Sequence, residues 1–131
     1  MKKILPYTNA ICYSGFRDGQ SPETGIFPSY DEIKEDLQLL QPQWKSLRLY
    51  DCDPHAAGVL EVIKNEGFDF DIMLGAYIIA EVSNLECPWG GVYRETDLAI
   101  NKKYNQKRIE KLVELANAYP ELTRLELIGE S

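Results

Sequence analysis

Apolar residues recur along this chain in two rhythms, short alternating or continuous runs and longer stretches at helical spacing, and the two rhythms take turns. The run Ala10 to Ser14 reads as a first strand, followed by a glycine- and proline-punctuated loop over 15–28. Ser29-Tyr30-Asp31-Glu32 has the spacing of a capping box, and Ile33, Leu37 and Leu40 follow at i, i+4 and i+7. A first helix is therefore predicted over 30–40, stopped by Pro42. Over 46–50, Leu47 and Leu49 alternate with Arg48 and Tyr50. In a strand the leucines share one face and the arginine and tyrosine share the other. Asp53-Pro54 has the order of an N-cap and a first-position proline. Val59, Leu60 and Ile63 give the second helix, over 54–66, its buried face, and Gly67 suits its C-terminal cap. A third strand over 70–76 is apolar at Phe70, Ile72, Met73 and Leu74, as in a parallel strand covered on both sides. A third helix over 96–118 follows, with Ile109, Leu112, Val113 and Ala116 as its inner face. Pro120 closes it, and 122–128 reads as a fourth strand.

The order βαβαβαβ demands a parallel sheet, so the fold class is α/β in one domain spanning 1–131, with four strands and three helices. An eight-stranded (βα) barrel takes about 250 residues. This chain has the length and element count of half of one, a half of a TIM-type barrel. Polar residues at strand exits then mark the site, because α/β folds place their chemistry at the carboxyl ends of the strands.

With 21 acidic against 14 basic residues the formal charge is −7, and the basic residues are scattered apart from Lys102-Lys103 and Lys107-Arg108, which argues against nucleic-acid binding. Cys12, Cys52 and Cys87 form no Cys-x-x-Cys pair and are odd in number. They suit a reducing compartment and read as small buried side chains. Tyr7, Thr8 and Asn9 cut short the apolar run that begins at Ile4, so no signal peptide is read, and no segment is long enough to span a membrane. The expected location is cytoplasmic.

The candidate site residues begin at the exit of the second strand. Arg48 can fix sugar hydroxyls or a carboxylate through its planar donor fork, and Tyr50 offers a hydrogen bond and a stacking face, with Asp51 beside them. An internal Arg48–Asp51 or Arg48–Glu130 ion pair serving only folding is the alternative. Tyr13 carries the same inward expectation on the first strand, against a core tyrosine with a satisfied hydroxyl. Trp89, between a proline and two glycines, is either a stacking platform or a lid over apolar surface. Asp51, Asp53 and His55 alternate like metal ligands, but Asp53 is wanted as a cap and no cluster completes a shell, so no metal and no cofactor are expected. His55, the single histidine, reads as an exposed first-turn residue. No cysteine has a histidine partner in view, and Gly90-Gly91 lacks the context of a phosphate loop.

Ile11-Cys12-Tyr13, Leu47-Arg48-Leu49-Tyr50-Asp51, Met73-Leu74-Gly75 and Leu127-Ile128-Gly129, in this order and spacing, resemble the first four strands of glycoside hydrolase family 17 barrels. That family contains β-1,3-glucanases and related bacterial transglycosylase domains. Ser29-Tyr30, Trp44, Pro88-Trp89-Gly90-Gly91 and Ala116-Asn117-Ala118-Tyr119-Pro120 are similar to the bacterial branch, and the likeness covers about Ala10 to Gly129. It implies a retaining mechanism with two carboxyl groups about 5 Å apart, from strands four and eight. The family's strand four ends in Gly-Asn-Glu with the glutamate as acid. Here the order is Gly129-Glu130-Ser131, so serine stands at the acid position and Glu130 is the remaining catalytic candidate.

A four-stranded sheet with helices on one face leaves its other face and two edges uncovered. Self-association as a twofold homodimer, or pairing with a complementary half barrel, would close eight strands and bring two Glu130 carboxylates to one mouth. The expected function is that of a family 17-like half barrel related to β-1,3-glucan-active enzymes, inactive or weakly active as a single chain. The alternative is a non-catalytic glycan-binding or purely structural module.

Overall fold

The computed structural model describes residues 9–83, 86 and 91–129, with side chains described as far as Arg124 in the last strand. Strands β1 (Ala10–Cys12), β2 (Ser46–Arg48), β3 (Asp71–Ile78) and β4 (Thr123–Gly129) form one parallel sheet in sequential order. Helices α1 (Tyr30–Leu40), α2 (Pro54–Glu66) and α3 (Glu95–Ala118) fill the connections. The first two strands are shorter than the alternation predicts, because the ladder ends where the chain turns into the site loops.

Local chemistry sets the helix ends as the sequence predicts. The Ser29 hydroxyl accepts the Glu32 N–H while the Glu32 carboxylate accepts the Ser29 N–H, a complete capping box. Asp53 caps α2 by accepting the Ala56 N–H at 3.0 Å, Pro54 occupies the first turn, and Gly67 ends the helix at φ 70°, a left-handed conformation that favours glycine.

The register makes the two faces of the sheet legible. Ile11, Leu47, Ile72 and Thr123 form one row across the strands, and Leu49 and Leu74 continue that side. Leu47, Leu49, Ile72 and Leu74 are buried in one cluster with Ile33 and Leu37 of α1, Val59, Leu60 and Ile63 of α2, and Leu112 and Leu115 of α3. The other face carries the row Cys12, Arg48, Met73 and Arg124. Arg124 is buried there beside Asp71, while Arg48 and Met73 are half-buried and Cys12 is exposed. Coverage of β3 is thus complete on the helix side and partial at Met73.

Two expectations are corrected. Ile109 and Val113 of α3 are 38% and 43% exposed, and the buried positions are Asn105, Leu112, Leu115 and Ala116. The face is rotated because Asn105 is spent on the chain after β3: its amide accepts the Ile79 N–H at 2.8 Å and donates to the Ile79 carbonyl at 2.7 Å. Cys12 is exposed because it lies on the face opposite the three helices, whereas Cys52 is buried as expected. Cys87 lies outside the described residues. Among the described residues no helix is long and apolar enough to cross a membrane.

Candidate functional site

Beyond the last ladder bonds of β1 and β2 the chain opens into a cleft of about 180 Å³. Tyr50, Asp51 and Asp53 from the exit of β2 form one wall, and Tyr13, Ser14, Phe16 and Pro22 from the exit of β1 and its loop form the other, with His55 at the base of α2. This is the carboxyl edge of a parallel sheet, where α/β folds bind ligands.

Tyr50 is 50% exposed. Alternation along β2 puts it on the same side as Arg48, whose guanidinium carbon lies 5.7 Å from the ring centre. A hydrogen bond with the Cys12 side chain pushes the Tyr50 phenol above its ordinary range. The structure therefore brings Arg48 and Tyr50 together, as the alternation predicts, and of the two it is Tyr50 that lines the cleft.

Asp51 is held from three directions. One oxygen accepts the N–H groups of Cys52 at 2.9 Å and Tyr77 at 3.1 Å, and the other pairs with the Arg108 guanidinium of α3. Its ion-pair partner is thus Arg108, which ties the exits of β2 and β3 to α3. Cys52, next in the chain, is buried, and burial pushes its thiol up, away from nucleophile chemistry.

The Tyr13 side chain is not on the side of the sheet that carries Arg48 and Tyr50, although its N–H bonds the Arg48 carbonyl at 2.9 Å. It has the parity of Ile11, lies on the helix side of the sheet at 7% exposure, and donates its hydroxyl to Asp36 at 2.7 Å. Burial first, and the Asp36 bond next, hold its phenol well above the usual tyrosine range. Its ring still closes the floor of the cleft. Gly15 has no room for a side chain, because an added Cβ would meet the Tyr13 hydroxyl and come within 3.0 Å of Asp36.

His55 is a second correction, since it is 4% exposed rather than a surface residue. Its ring stacks on Phe16 at 5.0 Å and tilts against Tyr13 at 5.5 Å, and its Nε2 accepts the Gly15 N–H at 3.0 Å. Sequence reasoning also missed Phe16 and Arg108. Arg108 lies 57 positions from Asp51 with no local signal, whereas a histidine just inside a helix that starts at a strand exit was a usable sign.

Trp89 and Glu130 lie outside the described residues. Among the described residues no group of three histidine, cysteine or acidic side chains could hold a metal ion. The cleft combines a half-exposed aromatic face, a serine hydroxyl and a capping carboxylate, groups able to stack and to hydrogen-bond, with the Arg48 guanidinium beside the Tyr50 ring. A second, larger groove of about 370 Å³ opens at the amino ends of the strands, between Ile63, Phe68, Tyr119 and Leu122. It gathers no comparable polar set.

No family model, curated protein or solved structure matches the chain.

Proposed function

We propose that this chain is the amino-terminal half of a glycoside hydrolase family 17-like barrel, closed by a second copy of itself, and that its carboxyl edge binds β-1,3-glucan. The observation that carries this reading is the Arg48 guanidinium beside the ring of Tyr50, on the side of the sheet opposite the helix-packed core, with Tyr50 itself lining the cleft. The sequential parallel sheet and its polar, partly uncovered face are compatible with a barrel interior. Within this reading Tyr50 stacks on a sugar ring, Arg48 donates to its hydroxyls, and Asp51 frames the wall through Arg108. Catalysis by a single chain is not part of it, because the two carboxylates of the cleft, Asp51 and Asp53, are both engaged in holding backbone. Hydrolysis would depend on Glu130 of two chains at one mouth.

The test is titration of the protein with laminari-oligosaccharides followed by intrinsic fluorescence. Saturable binding is expected, weakened about fivefold or more by Tyr50→Ala, the loss of one stacking face being worth about 1 kcal/mol or more. No saturable change in the wild-type protein would refute the reading. Reducing-sugar release equal in the wild type and Glu130→Gln would remove the catalytic role of Glu130.

A further inference from the structure

The loop over 15–28 forms a wall of the cleft through Phe16 and Pro22, and it is tied down on two sides. On the outside Arg17 pairs with Asp36 at 2.9 Å and Glu32 at 3.4 Å, and Gln20 reaches Glu32 at 3.1 Å. On the inside the ties are to one residue, His55, through the Gly15 N–H and the Phe16 stack.

The inner hydrogen bond fixes the state of the ring. Nε2 accepts, so its lone pair is free of a proton and the neutral ring carries its hydrogen on Nδ1. A proton taken from solvent would bond to that lone pair. Two N–H donors would then face each other in a buried place, and the Gly15 amide would lose its acceptor. We infer that His55 is a latch on the cleft wall, and that proton uptake by its imidazole releases the inner edge of the 15–28 loop and opens the cleft.

The charges around the ring come from every element packed on it. Asp53 at the cap of its own helix and Asp36 of α1 favour the proton, though Asp36 is engaged by Tyr13 at the exit of β1 and by Arg17 of the loop. Asp51, across the cleft, is paired with Arg108 of α3. Burial opposes the proton and outweighs these carboxylates, so the imidazole sits below its ordinary 6.5. The positive end of α2 acts in the same direction. The latch is therefore closed near neutrality. As pH falls, the unfolded chain takes up its proton first, near 6.5, and the latch opens only when pH passes through the lower value of the folded state.

Its bearing on ligand rests on the reading of the cleft as a glucan site, whereas the latch itself is read without any sugar. Because the chain has a single histidine, its imidazole can be followed alone by NMR. The expected result is a midpoint below 6.5, with the Gly15 amide moving at the same midpoint and its exchange protection falling about tenfold per pH unit between 6.5 and that midpoint and lost beneath it. Amides of Ile72 and Leu74 should stay put, and His55→Gln, which keeps an acceptor but does not titrate, should leave Gly15 insensitive to pH. An imidazole that titrates while Gly15 stays still, a midpoint at or above 6.5, or β3 amides that move together with Gly15 would each overturn the latch. Saturable sugar binding with no pH dependence of Gly15 would overturn it while leaving the glucan reading standing.

Discussion

The two faces of the sheet are made by the same strands, yet they obey different chemistry. On the helix side Leu47, Leu49, Ile72 and Leu74 are at most 1% exposed and interlock with three helices. On the other side Cys12, Arg48, Met73 and Arg124 form a mixed row, and Tyr50 stands half exposed above it. One residue of displacement along the chain separates a core position from an exposed one. Just beyond β2 a packed side chain, Leu49, and a half-exposed one, Tyr50, are therefore neighbours that can be altered almost independently.

The largest contrast comes from emptying the core. Leu74→Ala should cost about 2–5 kcal/mol in chemical denaturation, since the side chain is fully buried and leaves a cavity between β3 and the helices. A cost under about 1 kcal/mol would mean the helix face is not the packed one. Next, Asp51→Asn should cost about 1–3 kcal/mol, because Arg108, 20% exposed, loses its counter-charge while the backbone donors keep an acceptor oxygen. A neutral result there would detach the cleft wall from α3. Gly15→Ala should cost about 1–3 kcal/mol by forcing a methyl group against Tyr13 and Asp36, and should disturb the Gly15–His55 bond with it. The smallest effect is expected at Tyr50→Ala, within about 0.5 kcal/mol of the wild type although sugar binding falls. A large loss of stability there would make Tyr50 a structural residue and erase the distinction between the faces.

What could be read from the sequence was whatever depends on neighbours in the chain. The capping box at Ser29, the Asp53-Pro54 start, the Gly67 stop and the split of Leu47 and Leu49 from Arg48 and Tyr50 all follow from local geometry. What escaped depends on partners far along the chain. The polar side chain of Asn105 replaces an apolar one at the centre of α3, so apolar spacing alone picked Ile109 and Val113 instead; the i, i+4 pair Asn101 and Asn105, both bonded to the chain after β3, was the available clue. His55 was misjudged because its burial comes from Phe16 and Tyr13, brought over it by the β1 loop. Tyr13 was assigned the side of Arg48, although its parity with Ile11 puts it under the helices. The pairing of Arg48 with Tyr50 was legible, because their placement together is a matter of alternation.

The reading that unites these features is that the mixed face of the sheet is the interior of a barrel closed by a second copy. Sedimentation equilibrium at micromolar concentration tests it most directly. The account predicts a particle of twice the mass of one chain, and a single-chain mass that persists as concentration rises would contradict it.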